Sequence, residues 1–338
     1  MKYKNFKHLL KNRPHGMPSN NCWEYVSEEI DFISDNELII KNEYLSIDPY
    51  MRGRMNEGKS YAPPVQIGEI MTGETVGEVV ESKSKKFKVG DKVCVHMGWQ
   101  SYTKCKDSEI SLIKVPETNL PISLFLGALG MPGRTAYFGF NRVGKPKPTD
   151  TVVVSAASGA VGSVVGQLAK IYGCRVIGVA GGLEKASYVK DILGFDECID
   201  YKKDDVNMLL NEYCDSGIDI YFENVGGELS RHVSKLLNKG SRVPICGFIS
   251  KYNSTDIMNE ETPFHVFGNL NPKPKHRFFV VREWMNEFEK TTQLLMKYVE
   301  DGSIKYKETI IEGLENAPQA LNDVLSGKNF GKQLIKIN

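Results

Sequence analysis

Short apolar runs rich in β-branched residues alternate with glycine and polar punctuation from residue 38 to about residue 116: ELIIKNEYLSI, GETVGEVVES, GDKVCVHM and SLIKVP. Such runs predict strands joined by tight turns. From Thr151 the texture changes to a repeating order of strand, glycine turn and helix. TVVVSA precedes SGAVGSVVGQLAKIYG, RVIGVAG precedes LEKASYVKDILG, and IDIYFENVGG precedes ELSRHVSKLLNKG. That alternation predicts right-handed crossovers and a parallel sheet covered by helices, an α/β fold. The turn-rich segment VGKPKPTD at 143–150 leads into it, and further strands are expected at 241–248 and 277–281. Residues 283–300 carry helical spacing, with Trp284, Phe288, Leu294, Leu295 and Val299 as apolar positions. The segment from Gly302, through GKQLIKI, returns to β character and is expected to rejoin the first region.

Composition narrows the functional classes. The 338 residues carry 43 basic and 42 acidic side chains, a formal net charge of +1. Nucleic acid and anionic membrane surfaces both require clustered Lys and Arg, so neither is expected as a partner. The densest basic run, Lys83, Lys85, Lys86 and Lys88, is followed by Gly90-Asp91 and reads as a solvated hairpin turn. Seven cysteines without a CxxC pair predict reduced thiols and a cytoplasmic home. The opening MKYKNFKHLLKNRPHG lacks the apolar core of a secretion signal, and no stretch approaches 18 consecutive apolar residues.

One motif carries specific chemistry. TVVVSAASGAVG at 151–162 runs from an apolar strand through a glycine turn into an amphipathic helix, an A-x-G-x-x-G form of the dinucleotide fingerprint with Ala157 in the first glycine position. Gly159 would let the backbone approach a pyrophosphate, Gly162 would permit close helix–strand packing, and the helix N-terminus would offer unpaired N–H groups. An NAD site would place an acid on the ribose about 20 residues further on. Val179-Ala180-Gly181-Gly182 stands there instead, and Lys185 follows with the charge to meet a 2′-phosphate, so NADPH is the expected cofactor. An ordinary exposed lysine is the other reading of Lys185. Tyr201 is placed to pack on the same adenosine end, or to be a half-buried strand residue.

Over essentially the whole chain this arrangement resembles the medium-chain dehydrogenase/reductase superfamily. The resemblance implies a GroES-like β-rich catalytic domain at 1–122, a Rossmann NADP-binding domain with a doubly wound parallel sheet at 123–299, and a return to the catalytic domain at 300–338. Zinc alcohol dehydrogenases of that superfamily use a histidine in a G-H-E-x-x-G-x-V segment. Here the stretch is TGETVGEV, with Gly73 at the histidine position, and the cysteine quartet of a structural zinc lobe is missing, so no metal is expected. Cys94 and His96 are expected to pack in the core. Five segments, LSIDPYMRGRM, GMPGRTAYFG, AASGAVGSVVG, YFENVGG and CGFISKYN, look like the NADPH-dependent alkenal/one oxidoreductases, the group of prostaglandin, plant double-bond and curcumin reductases.

That resemblance implies reduction of the C=C bond of an α,β-unsaturated aldehyde or ketone. Hydride arrives at the β-carbon, negative charge builds on the carbonyl oxygen, and that oxygen needs a hydrogen-bond donor. Tyr252, favoured by the resemblance, and Tyr50 are the candidate catalytic residues, each with a plainer alternative: cofactor positioning for Tyr252 and wall packing for Tyr50. Tyr50 and Arg52 are the candidate substrate-binding residues, Arg52 either steering an acidic substrate tail or anchoring its loop through a carboxylate. Cofactor contacts carry over to Ala160, Val161, Gly162 and Ser163, to Lys185 and Tyr201, to Asn224, and to Asn329. They extend to Cys246, Gly247, Phe248, Ile249, Ser250 and Tyr252, and to Phe278 and Val280. The sequence departs from the family at Glu223, where Asp is usual, and at Gly182. A zinc-free quinone reductase of the same superfamily and a non-catalytic NADP-binding protein are the rival readings. A homodimer built across the Rossmann edge is the implied assembly.

Overall fold

The computed structural model describes residues 2–31, 33–58, 60–256 and 259–338. The chain begins with a hairpin that its hydrophobic pattern does not announce. Strands β1 (Tyr3–Leu10) and β2 (Trp23–Ile30) pair antiparallel from Tyr3↔Ile30 to Leu10↔Trp23. Only the two ends of β2, Trp23 and Ile30, are buried, so the strand carries no inside–outside alternation to read. Then come β3 (Glu37–Ile47), the short helix α1 (Tyr50–Arg54), β4 (Thr75–Ser82), β5 (Lys92–Val95), β6 (Tyr102–Lys106) and β7 (Ile113–Lys114). Gly77 of β4 crosses β3 so closely that a Cβ there would lie 2.0 Å from the Lys41 carbonyl oxygen.

After α2 (Met131–Phe138) the chain enters the alternating region: β8 (Thr151–Ser155), α3 (Gly162–Ile171), β9 (Arg175–Ala180), α4 (Leu183–Ser187), β10 (Glu197–Asp200), α5 (Val206–Tyr213), β11 (Ile218–Phe222), α6 (Glu228–Ser234) and β12 (Leu237–Ile245). It continues through α7 (Pro263–Gly268), β13 (Lys275–Phe278) and α8 (Phe288–Glu300), then returns as β14 (Glu308–Glu312), α9 (Ala317–Leu325) and β15 (Lys332–Lys336).

These elements form two units, Met1–Gly127 with Glu308–Asn338, and Ala128–Lys307. The breaks fall after the expected 122/123 and 299/300 positions. Segment 301–307 stays with the second unit because Gln167 on α3 receives the Lys305 N–H (2.7 Å) and donates to the Lys305 carbonyl (2.9 Å), while the Lys305 ammonium reaches the Ile192 carbonyl.

The first unit holds a sheet of order β14-β15-β3-β4-β5-β7, with β6 also on β3. Its core gathers Leu10, Trp23, Leu45, Met51, Trp99, Leu321 and Ile335. The second unit is a parallel sheet of order β10-β9-β8-β11-β12-β13. Its strands β8 and β11 are neighbours whose successors run outward in opposite directions. Such a reversal is where doubly wound sheets bind ligands, outside the carboxyl ends of the strands.

The strand expected at 277–281 ends at Phe278, the segment from Gly302 includes the helix α9 beside its strands, and two helices differ in extent from the sequence pattern. Strand β12 starts at Leu237, so the helix over ELSRHVS ends at Ser234 and LLNKG belongs to the turn and strand. The helix expected from Glu283 begins at Phe288. Val281–Glu287 is a tighter 3-10 segment in which Trp284 leaves helical backbone (φ −120°, ψ 31°), its ring stacked on Phe138 at 5.1 Å.

Candidate active site

In the second unit β8 buries all five of its side chains and ends in a turn where Ala156 takes φ +49°. That geometry turns the Ala156 carbonyl back over the start of α3. A Cβ on Gly162 would lie 2.4 Å from this oxygen and one on Gly159 would lie 3.1 Å away, so only a bare Cα fits well at 162. Gly159 donates to Ala156 (2.9 Å) and Ser163 to Gly159 (3.0 Å). The N–H groups of Val161 and Gly162 have no acceptor among the described residues. Free donors at a glycine turn opening a helix suit an anionic pyrophosphate.

Across the switch point, Asn224 follows β11 and is locked to β8: its backbone N–H donates to Ser155 Oγ (2.8 Å) and its side-chain amide to the Ser155 carbonyl (2.7 Å). One amide hydrogen is therefore spent on the strand, which fixes the direction of the side chain. Glu223 beside it is fully buried. Its carboxylate accepts from Tyr221 Oη (3.0 Å), the Val225 and Gly226 N–H groups (2.8 and 2.9 Å) and Ser230 Oγ. Burial pushes the carboxyl upward while these donors pull it back. Glu223 thus shapes the turn that carries Asn224, a role that its bare departure from the family pattern does not reveal.

The 246–252 loop is zipped onto that turn. Cys246 and Gly247 donate to the Glu223 carbonyl (2.9 and 3.2 Å), Ile249 to Asn224 (3.1 Å) and Ser250 to Val225 (3.0 Å). The loop then folds back, the Tyr252 ring meeting Phe248 edge-on at 5.7 Å. A Cβ on Gly247 would lie 2.7 Å from the Tyr252 hydroxyl, which places that hydroxyl over the Gly247 backbone. Burial pushes the Cys246 thiol up to about 12.

At the end of β9, Gly181 lies under the Tyr201 ring, whose nearest atoms would be 2.7 Å from a Cβ there, while Tyr201 itself is 51% exposed. Lys185 is half-buried on α4, and burial, followed by the charge of Lys202, lowers its ammonium pKa. Phe278, the last residue of β13, sits 6.3 Å from the Phe264 ring, and Val280 donates its N–H to Glu283 (2.9 Å).

The remaining candidates lie in the first unit. Tyr50 opens α1, with its ring stacked on His96 at 6.3 Å. His96 is not a core residue as expected: it lies just beyond β5, half-buried, and its Nε2 bonds Thr72 Oγ1 at 2.9 Å, whereas Cys94 on β5 is buried. Arg52 is 1% exposed, and the carboxylate anchor expected for it is replaced by neutral acceptors. Its guanidinium donates twice to the Gly16 carbonyl (3.1 and 2.8 Å) and once to Asn56 Oδ1 (2.5 Å), so burial is compensated without a second charge. The segment ahead of Tyr50 is fixed by a buried ion pair that sequence reading missed. Lys332 donates to Asp48 Oδ1 (3.1 Å) and to the Ile47 and Gln333 carbonyls (2.8 and 2.9 Å). Asn329 donates to the Gly331 carbonyl (2.9 Å). At Gly73 a Cβ would meet Trp99 Cδ1 at 2.8 Å and Nε1 at 3.0 Å, so the buried indole occupies the place of any side chain there.

Comparison with known proteins agrees with this architecture. Residues 7–113 match the model of the N-terminal domain of oxidoreductase and residues 160–287 that of zinc-binding dehydrogenase. The chain is 40% identical to NADPH-dependent curcumin reductase of Escherichia coli, covering 99% of this chain and 98% of that protein. It is 39% identical to the NADP(+)-dependent 2-alkenal reductase of Nicotiana tabacum, covering 98% and 96%. The crystal structure of CurA in complex with NADPH from Vibrio vulnificus superposes with a TM-score of 0.92 at 43% identity, over 98% of this chain and 99% of that one. The chain therefore belongs to the medium-chain dehydrogenase/reductase superfamily, within its alkenal/one oxidoreductase family.

Proposed function

We propose that the protein is an NADPH-dependent reductase of the C=C bond of α,β-unsaturated aldehydes and ketones. The observation that carries this reading is the convergence, at the carboxyl ends of β8, β11 and β12, of the Gly159–Gly162 cradle, the Asn224 turn and the Tyr252 loop. The Val161 and Gly162 N–H groups, with Ala160 and Ser163 beside them, would hold the pyrophosphate. Lys185 would meet the 2′-phosphate, and Asn224 with the 246–252 loop would hold the nicotinamide half. Phe278, Val280 and Asn329 complete the proposed contacts. Bound NADPH would supply the hydride for the β-carbon, and a proton from solvent would complete the α-carbon. Tyr252 donates a hydrogen bond to the carbonyl oxygen as charge develops there. Tyr50 is the second candidate donor, and Arg52 serves the substrate segment chiefly by pinning α1 to Gly16. The indole filling the space at Gly73 supports chemistry without a metal. Seven cysteines outside any disulfide support a cytoplasmic setting, and the edge position of β13 among the described strands of its sheet supports a homodimer across that edge.

Steady-state oxidation of NADPH and NADH by the purified protein, with a 2-alkenal, an enone, a quinone and a saturated aldehyde in parallel, tests the reading. Saturation of the alkenal or enone double bond with NADPH preferred is expected. Turnover of the quinone alone would replace it with the quinone-reductase reading, and no turnover at all with the non-catalytic one. Tyr252→Phe is expected to lower kcat by about 10²-fold, in line with the loss of one oxyanion donor. An unchanged kcat would move the donor role to Tyr50.

A further inference from the structure

A phosphomonoester carries about −1.5 to −2 charge at neutral pH, so one ammonium leaves it undercompensated. A second cation stands beside Lys185. Asp200, buried at the end of β10, accepts through the same Oδ1 from the Gly182 N–H (2.6 Å) and from the Lys202 N–H (3.1 Å). One oxygen therefore draws together the turn that starts α4 and the turn that follows β10. Between them the Tyr201 ring covers Gly181, whose lack of a side chain makes that approach possible. Lys185 sits within the first turn of α4 and Lys202 directly after Tyr201, on the two turns that Asp200 joins. Lys202 is exposed, and among the described residues no carboxylate lies at ion-pair distance from it. Its charge is felt at Lys185, where it works against protonation.

We propose that Lys202 is the second cation of the 2′-phosphate subsite and that Lys185 and Lys202 together set the preference for NADPH over NADH. The inference rests on the NADPH reading. In the bound complex the phosphate would relieve the repulsion between the two lysines, and Asp200 would act as the positioning residue that holds both turns to it.

Calorimetric titration with 2′,5′-ADP and with 5′-AMP isolates this subsite from turnover. Lys202→Gln is expected to weaken 2′,5′-ADP by about tenfold, the worth of one charge-assisted hydrogen bond, and to leave 5′-AMP within about twofold. Lys185→Gln should weaken it more, and the double variant should bind the two nucleotides alike. Lys203→Gln, an exposed neighbour on the same turn, controls for general charge screening. If wild type prefers 2′,5′-ADP and Lys202→Gln keeps the full preference, Lys202 has no part in the subsite and the inference is overturned while the NADPH reading stands. Equal loss for both nucleotides, or a matching loss in Lys203→Gln, overturns it too. A wild type that does not distinguish the nucleotides removes the NADPH reading and the inference together.

Discussion

The two units bury carboxylates in opposite ways. In the second unit Glu223 is surrounded by neutral donors, two backbone amides and two hydroxyls from residues 221–230, with the Ser155 hydroxyl of β8 at 3.4 Å. In the first unit Asp48 is held by the ammonium of Lys332, a residue 284 positions away and 3% exposed. The first solution draws its shorter bonds from neighbours in the chain and makes the carboxylate part of the loop it shapes. The second ties distant stretches of chain together, and burial lowers the Lys332 pKa against the pull of Asp48. Losing a partner should therefore cost more in the first unit than in the second.

Removing the cation tests this contrast hardest. Lys332→Met strands Asp48 in the core and is expected to cost about 3–5 kcal/mol in urea unfolding, with part recovered when Asp48→Asn is added. A loss below about 1 kcal/mol would mean that the pair is not the anchor described here.

Acid sharpens the comparison next. His8 is 3% exposed among Trp23, Tyr25 and Trp99, bonds the Leu314 carbonyl through Nε2, and has its pKa lowered to about 4, mainly by burial. The folded value lies below the usual 6.5, so its contribution is complete above pH 6.5 and is lost as pH falls toward 4. About 3 kcal/mol should disappear from the first unit across that window, and His8→Gln should flatten the slope in pH-dependent urea midpoints.

The smallest effect is expected in the second unit. Ser230→Ala removes one of the donors to Glu223 and should cost about 1–2 kcal/mol, with faster amide exchange at Val225 and Gly226. A loss as large as that of Lys332→Met would erase the distinction between the units.

The same difference explains what was legible in the sequence. The second unit declares itself because each β-α step is local: an apolar run, a glycine that must lack a side chain, an amphipathic helix. Gly162 is readable for that reason. Lys202 reads as one more surface lysine until Asp200 brings its turn against Gly182. The first unit hides more. Its opening hairpin has an outward-facing middle in β2, its Lys332–Asp48 pair spans most of the chain, and Trp99 fills the space at Gly73 from a turn 26 residues on. Trp284 shows the converse, helical in spacing but drawn out of the helix where its ring stacks on Phe138.

The place of β15 also governs how the protein is made. It lies between β14 and β3, pairing Gln333 through Lys336 with Ile47 through Tyr44. A ribosome adding about 5–20 residues per second leaves that side of β3 without its partner for roughly 15–60 s. Over most of that interval the second unit is emerging with all its strand partners close behind one another, free to close on itself. The nascent first unit meanwhile presents an open, apolar strand edge, the form of backbone most prone to pair with a neighbouring chain. Yield in a cell should therefore depend on chaperone occupancy during translation more than on the stability of the finished fold.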